Sequence, residues 1–153
     1  MRKKLMKLRL TPLVLLAFVV SALAHAQSPA GVWKTIDDAT GKEKSLVRIT
    51  EAAGVLTGKV EKGLEPGVKP DSRCDECTDS RKGQPIIGMS IIRNVKKSDK
   101  VDMVWDGGDI LDPNNGKVYR VRLMPSADNK KLEVRGYVGA PMFGRSQTWL
   151  RVE

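Results

Sequence analysis

The chain has 153 residues, the length of one domain rather than two. Its 27 basic and 18 acidic residues give a formal net charge of +9, but five of the basic residues lie within the first nine positions. Without residues 1–26 the chain keeps 22 basic and 18 acidic residues. So small an excess gives no reason to expect nucleic acid as a partner.

Residues 1–26 have the pattern of a secretory signal peptide. A basic segment at residues 1–9 precedes an apolar segment at residues 10–23, which is followed by the small-x-small sequence Ala24-His25-Ala26. As a helix the apolar segment spans about 21 Å, too short for a hydrocarbon core of about 30 Å. We therefore predict cleavage after Ala26, export to the periplasm or the medium, no transmembrane anchor after processing, and one domain over residues 27–153.

His25 is the only histidine, and cleavage after Ala26 removes it. The processed protein then has no imidazole, which excludes Ser-His-Asp and Cys-His catalysis and histidine-ligated metal sites. General acid–base chemistry would have to depend on carboxylates, lysine or tyrosine. We therefore predict that the protein is not an enzyme and that it uses no cofactor.

Short segments rich in β-branched and aromatic residues follow, separated by turn signals. The predicted strands are residues 32–36, 45–50, 55–61, 86–93, 101–105, 117–124, 132–138 and 145–152. Apolar and charged residues alternate in several of them, as where Tyr119 and Val121 alternate with Arg120 and Arg122. Hairpin-like turns at residues 37–41, 52–54, 112–116 and 126–129 make consecutive strands neighbours. The sequence thus predicts an all-β fold, an antiparallel up-and-down barrel of about eight strands, with a β-sandwich as the alternative.

A long polar connection, residues 63–85, contains three prolines and both cysteines. In an oxidising compartment Cys74 and Cys77 are expected to form a disulfide that staples this loop. Two alternatives stay open. The two thiolates and the nearby carboxylates could bind a metal ion, or the cysteines could form a redox pair, which the flanking acidic residues disfavour because they oppose thiolate formation.

Two further sets of polar residues have simple interpretations. Residues 106–116 are rich in Gly and Asp, but their spacing does not match an EF-hand loop, so we interpret them as a solvated hairpin. Charged strand residues are expected on the wet outer face, with an anionic head group at a barrel mouth as the alternative; these residues are Lys34, Arg120, Arg122, Arg135 and Arg145. The best exception is the face that alternation gives to Arg145, Gln147 and Trp149, which combines polar groups with an indole.

Two motifs resemble the calycin superfamily of lipocalins, fatty-acid-binding proteins and avidins. Gly31-Val32-Trp33 opens the first predicted strand, and Gln147-Thr148-Trp149-Leu150-Arg151 lies in the last. The resemblance implies that Trp33 closes the barrel floor and that a basic side chain packs over its indole, a geometry that suits a guanidinium group. Arg151 is the expected partner of Trp33, and Arg145 is a competing candidate.

A longer set of motifs resembles a family of small exported bacterial proteins known only as a domain of unknown function and grouped with lipocalin-like folds. The motifs are Trp33-Lys34-Thr35-Ile36-Asp37-Asp38, Pro85-Ile86-Ile87-Gly88-Met89, Gly108-Asp109-Ile110-Leu111-Asp112-Pro113, Gly116-Lys117-Val118-Tyr119, Arg135-Gly136-Tyr137 and Gly144-Arg145-Ser146-Gln147-Thr148-Trp149. This resemblance implies a barrel and a periplasmic setting, and it implies no activity.

The function expected from these observations is non-enzymatic binding of a small hydrophobic or amphipathic ligand inside the barrel. The candidate ligand-binding residues are Trp33, Met103, Trp105, Tyr119, Val121, Arg145, Gln147 and Trp149. A barrel interior filled by side chains is the alternative to a pocket. Alternative functions are a metal-binding or redox module at Cys74 and Cys77, and a structural or interaction role in the cell envelope.

Overall fold

A computed structural model describes residues 27–66 and 69–153 of the chain. Their strands are β1 (Gly31–Ile36), β2 (Glu43–Ala52), β3 (Val55–Gly63), β4 (Ser90–Lys97), β5 (Trp105–Asp112), β6 (Lys117–Pro125), β7 (Lys131–Tyr137) and β8 (Arg145–Arg151). Each strand pairs antiparallel with the next, and β8 pairs with β1, so the sheet closes into a barrel. The predicted all-β up-and-down barrel is confirmed. The predicted signal peptide lies outside the described residues.

The alternation of side chains along each strand determines which face is buried. In β7, Leu132 and Val134 are buried inside the barrel, whereas Lys131 and Glu133 are exposed. Successive side chains of a strand point to opposite faces, so this order places the apolar residues in the interior. Closure of the sheet leaves no unpaired edge strand, which removes the usual template for edge-to-edge aggregation.

The predicted positions of the fourth and fifth strands are wrong. Residues 86–89 belong to the long connection, and β4 runs from Ser90 to Lys97. Strand β5 begins only at Trp105 and continues to Asp112, so residues 106–112 are strand rather than part of a solvated hairpin. Met103, expected inside a strand, has a φ of 58° and lies in the turn that precedes β5.

A glycine pair explains why β5 looks like a turn in the sequence. Gly107 has a φ of 81°, and the register between β5 and β6 shifts between Trp105 and Gly108, which is the signature of a β-bulge. A Cβ atom on Gly108 would overlap the carbonyl oxygen of Arg93 in β4. The glycines therefore allow close strand approach inside the sheet instead of ending the strand.

One end of the barrel, which we call the floor, is closed by Trp33 and Arg151. The guanidinium carbon of Arg151 lies 4.1 Å from the centre of the Trp33 ring, so the predicted stacking is confirmed with Arg151 as the partner. Arg145, the competing candidate, lies exposed towards the other end of β8. The indole N–H of Trp33 donates a hydrogen bond to the Pro29 carbonyl oxygen at 2.7 Å.

Arg151 also connects three segments of chain at the floor. Its guanidinium donates to the carbonyl oxygens of Ser28 at 2.8 Å, Ala30 at 2.9 Å and Asn129 at 2.6 Å. A Cβ atom on Gly31 would overlap this guanidinium, which explains the glycine of the G-x-W motif. Desolvation lowers the pKa of Arg151 from its ordinary value, but an arginine remains charged at neutral pH.

The interior next to the floor is filled by apolar side chains. Trp33, Val47, Leu56, Val121 and Leu123 are fully buried and belong to one contiguous core. These side chains pack against one another as part of that core.

We expect Gly108→Ala to destabilise the protein by about 1–3 kcal/mol, because its methyl group must displace backbone atoms of β4. Gly136→Ala in β7 is the matched control. A Cβ atom there lies 3.5 Å from the Cβ of Tyr119, an ordinary contact, so little change is expected. Urea unfolding of the two variants measures the difference, and equal stability would contradict the assigned β4–β5 packing.

Arg151→Lys should lower the free energy of unfolding by about 2–4 kcal/mol. Lysine keeps the charge but loses the flat stacking on Trp33 and the fork of hydrogen bonds. Arg145→Lys, in the same strand, is the control, because Arg145 forms no ion pair among the described residues. Thermal and urea unfolding of both variants test this; equal losses would argue against a special role of Arg151.

Candidate functional site

The end of the barrel opposite the floor holds an open cavity of about 530 Å³, which we call the mouth cavity. Its deep wall is apolar and includes the buried residues Ile91, Leu111, Val134 and Trp149. Its rim comes from the β1–β2, β5–β6 and β7–β8 connections, and includes Asp38, Pro113, Asn115, Val138 and Phe143. The barrel is thus closed at the floor by Trp33 and Arg151 and open at the mouth.

Strand β8 supplies the polar inner wall of the mouth cavity. Arg145 pairs with Gly136, Gln147 with Val134, and Trp149 with Leu132. Residues that are directly opposite in an antiparallel pair face the same side of the sheet. Since Val134 and Leu132 are buried inside, the β8 residues also face inwards, as their alternation predicted.

A chain of hydrogen bonds fixes two of these side chains. The indole N–H of Trp149 donates to Gln147 Oε1 at 3.2 Å, and Gln147 Nε2 donates to Asp38 Oδ2 at 2.7 Å. The second contact joins β8 to the β1–β2 turn. A hydroxyl pair, Thr35 and Ser45 at 2.8 Å, lies on the neighbouring wall. These groups give the cavity a preorganised polar edge next to its apolar depth.

Charges at the mouth cavity are partly paired within the protein. Hydrogen bonds from the Thr40 side chain and backbone lower the pKa of Asp37, and Lys44 Nζ lies 3.8 Å from the same carboxylate. Asp112 accepts hydrogen bonds from the Asn114 backbone and the Asn115 side chain. Arg145 differs, since it is exposed and has no ion-pair partner among the residues that the structure describes.

Gly136 provides part of the open space. It lies on the inner face of β7, opposite Arg145, and lines the mouth cavity. The atoms nearest to an added Cβ are the Tyr119 Cβ at 3.5 Å and the Ile110 Cγ2 at 3.8 Å. A larger side chain at this position would therefore extend into the cavity without a backbone clash.

The structure brings together four of the eight candidate ligand-binding residues. Tyr119, Arg145, Gln147 and Trp149 line the mouth cavity. The other four do not line it: Trp33, Trp105 and Val121 are buried in the packed core, and Met103 packs against this core from the turn before β5.

Several cavity residues escape the sequence analysis. Ile110 and Leu111 line the cavity, although the Gly- and Asp-rich sequence around them predicts a solvated hairpin. Tyr137 and Phe143 come from the end of β7 and the following 3₁₀ turn. Arg135-Gly136-Tyr137 was available as a motif, whereas the contact of Asp38 with Gln147 spans 109 residues and leaves no local signal.

The long connection between β3 and β4 packs its cysteines into the barrel core. Cys74 and Cys77 form a disulfide, with Cα atoms 5.4 Å apart, and both are fully buried. The Cys74 sulfur lies 3.5 Å from the Pro113 carbonyl oxygen of the β5–β6 turn. A Cβ atom on Gly116 would overlap the Glu76 carbonyl oxygen, so this turn and the disulfide loop are in direct contact.

An ion pair anchors the same loop to the barrel. Arg81 is buried, donates to both Asp79 carboxylate oxygens and donates to the Ser90 carbonyl oxygen at the start of β4. The hydrogen bond from the Arg81 side chain is the main cause that lowers the pKa of Asp79 to about 2. The loop is therefore fixed to β4 by a charged contact as well as by its apolar residues.

Within residues 27–66 and 69–153, no group of three or more His, Cys, Asp or Glu side chains has an arrangement that could hold a metal ion. Over the same residues, no helix is long and apolar enough to cross a membrane.

A closed eight-stranded antiparallel barrel with one open end defines a lipocalin-like fold. Protein HP1028 from Helicobacter pylori, described as belonging to the lipocalin family, has a similar structure, with a TM-score of 0.70 and 20% sequence identity. The match covers 82% of this chain and 84% of the other. At this identity the likeness concerns the fold.

Residues 31–151 match the model of a bacterial family described as an uncharacterized protein conserved in bacteria, DUF2147. The chain belongs to this family, and the predicted membership of a lipocalin-like domain family of unknown function is confirmed. The matched segment begins with β1 and ends with β8, so it includes every strand of the barrel. No curated protein matches the sequence.

We expect Asp79→Asn to loosen the disulfide loop, because Arg81 loses its charged partner. The amides of Cys74, Gly83 and Ile86 donate hydrogen bonds within the loop. They should exchange with solvent about two- to fivefold faster at pH 7, which is the size of effect expected when a partly exposed ion pair is lost. Asp75→Asn, an exposed position of the same loop, should have no such effect. Hydrogen exchange detected by mass spectrometry or NMR measures this.

The contribution of Asp79 to the stability of the folded protein should depend on pH in a defined direction. Its pKa in the folded protein, about 2, is below the ordinary value of 3.8. The stabilisation is therefore complete above about pH 4 and is lost as the pH falls through 2. Wild type and Asp79→Asn should differ at pH 7 and converge near pH 2; a difference that persists at the lower pH would contradict the assignment.

Proposed function

We propose that the protein binds a small hydrophobic or amphipathic ligand in the mouth cavity. The observation that carries this proposal is the cavity of about 530 Å³, which has an apolar depth and a polar rim and adjoins the packed apolar core. Ligand pockets typically have volumes of about 300–1,000 Å³, a largely apolar lining and a few placed polar groups.

The distribution of side chains supports a specific orientation of the ligand. Its apolar part would contact Ile91, Leu111 and Trp149, which are buried. Its polar part would remain near Gln147 and Arg145 towards the solvent. Four aromatic residues line the cavity, Tyr119, Tyr137, Phe143 and Trp149, and they offer flat contact surfaces for rings or unsaturated chains.

The same proposal includes export and the absence of catalysis. Cleavage after Ala26 would place the barrel in an oxidising compartment, where a disulfide such as Cys74–Cys77 persists. Several polar groups of the cavity, among them Gln147, Asp38 and Asp37, make hydrogen bonds that hold the protein together. Such groups suit a binding site better than a reaction centre that exchanges protons.

The disulfide gives less support to a metal-binding or redox module. Both sulfur atoms are bonded to each other and fully buried within the core cluster. A redox cysteine is normally accessible and close to positive charge. The surroundings of Cys74 and Cys77 favour a staple that holds the long loop against the β5–β6 turn.

Gly136→Leu should abolish ligand binding while the barrel stays folded, because the new side chain occupies the cavity. With the apolar fluorophore N-phenyl-1-naphthylamine as the probe, we expect saturable binding to the wild type and at least tenfold weaker binding to the variant, a change of about 1.4 kcal/mol. Native mass spectrometry of protein from an exporting host tests for a ligand that is acquired in the cell and lost on denaturation.

Thr148→Leu is the matched control, since it adds the same side chain at an exposed position of β8. This variant should bind the probe like the wild type. Both variants must first show native circular dichroism and cooperative unfolding. Undiminished probe binding by a folded Gly136→Leu protein would place the ligand elsewhere and overturn the proposed site.

A further inference from the structure

The connection between β7 and β8 exposes an unusual amount of apolar surface. Val138, Met142 and Phe143 are 69%, 77% and 76% exposed. The described residues contain seven exposed large apolar side chains, and these three are the most exposed of them. They lie within six consecutive positions, whereas the other four are Val101, Val118, Leu150 and Val152. We call residues 138–144 the apolar loop.

Hydrogen bonds give the apolar loop a defined conformation. The amide of Phe143 donates to the Ala140 carbonyl oxygen at 3.0 Å, and the amide of Gly144 donates to that of Pro141 at 3.1 Å. Arg135 Nε donates to the same Pro141 carbonyl oxygen at 2.7 Å. The backbone is thus held by contacts inside the protein while the side chains of Met142 and Phe143 remain in solvent.

The apolar loop forms part of the rim of the mouth cavity. Val138 and Phe143 both line this cavity although they are largely exposed. An apolar ligand that leaves the cavity on this side therefore passes directly over the loop. A surface that covered the loop would also be next to the cavity entrance.

The charged residues closest to the apolar loop in the sequence are both arginines. Arg135 precedes the loop and Arg145 follows it, and no acidic residue occurs between Glu133 and Glu153. The carboxylates that line the mouth cavity belong to other turns, and each is bonded within the protein: Asp37 to Thr40, Asp38 to Gln147 and Asp112 to Asn115. Apolar side chains flanked by arginines complement a surface that is apolar below and anionic above.

We propose that the apolar loop docks on a lipid bilayer that contains anionic lipids, with Met142 and Phe143 inserted between the head groups and Arg145 close to the phosphates. The size of the patch favours a bilayer over a protein. Three side chains expose a few hundred Å², whereas a stable protein interface buries roughly 800 Å² per partner. Shallow insertion of a few apolar side chains, assisted by basic residues, suffices for reversible membrane binding.

Vesicle flotation tests the proposal with vesicles of two compositions. One contains phosphatidylcholine alone, and the other also contains about 30% phosphatidylglycerol, whose head group is anionic. The full chain is expressed in an exporting host, and all variants share the same N-terminus, established by mass spectrometry. The wild type should float with the anionic vesicles, and Met142→Ser/Phe143→Ser should bind them at least tenfold more weakly.

The matched control is Leu150→Ser/Val152→Ser, which removes two exposed apolar side chains at the floor end of β8. It should bind vesicles like the wild type. The proposal is overturned if the wild type does not float, if the loop variant floats equally well, or if the control variant loses binding to the same extent. Loop-dependent dimerisation in analytical ultracentrifugation without vesicle binding would also overturn it and would identify a second copy as the occupant.

This proposal and the proposed function can fail separately. Gly136→Leu fills the cavity but leaves the apolar loop exposed, so it should retain vesicle binding while it loses N-phenyl-1-naphthylamine. Met142→Ser, whose side chain does not line the cavity, should retain the fluorophore while it binds vesicles more weakly. Loss of both properties in either folded variant would show that one site serves both, which contradicts a separate docking surface.

Discussion

The stacking of Arg151 on Trp33 determines how the barrel closes. One guanidinium covers the indole and donates hydrogen bonds to the carbonyl oxygens of Ser28, Ala30 and Asn129. It thereby joins the segment before β1, the β6–β7 turn and the end of β8 at one point. Strands β1 and β8 are the first and last of the sheet and share a short register. The contacts of Arg151 add to the few backbone hydrogen bonds at this seam.

This closure at the floor makes the two ends of the barrel unequal. At the floor, Trp33 is fully buried and covered by Arg151. Above it, Gly136 contributes no side chain, and the inward residues of β8 become polar, from Trp149 through Gln147 to Arg145. The disulfide loop packs against the β5–β6 turn at Gly116, and none of its described residues lines the mouth cavity. A barrel of eight strands is close to the size that side chains can fill completely, so these particular residues are the reason that a cavity remains.

The sequence predicts the barrel well because its evidence is local. Alternating apolar and charged residues indicate β6 and β7, and G-x-W with a terminal arginine indicates the floor. The errors at β4 and β5 have opposite signs. Residues 86–89 were predicted as strand, but Gly88 has a φ of 87° and this segment belongs to the connection before β4. Gly107 and Gly108 have the composition of a turn but lie at a bulge inside β5, and only long-range contacts distinguish a turn from a bulge. Only four of the eight candidate ligand-binding residues line the mouth cavity, for a related reason. The inward face of β8 follows from alternation, whereas the contact of Gln147 with Asp38 depends on how distant turns meet.

The difference between the closed floor and the open mouth also gives a reason for the exposed apolar residues around the mouth. Exposed Met142 and Phe143 would be a liability for a protein that only had to remain in solution, because exposed apolar patches promote association. Their backbone is nevertheless fixed by Arg135 and by hydrogen bonds within the loop, so the exposure is built into the fold. An apolar ligand dissolves poorly in water, so few molecules reach a cavity that opens only to water. A rim that is itself apolar on one side shortens that path, because a bilayer in contact with Phe143 would lie next to the space bounded by Tyr119 and Trp149. The cavity and the apolar loop are therefore compatible with one orientation of the barrel. In this orientation the mouth would face the bilayer and the closed floor would point away from it.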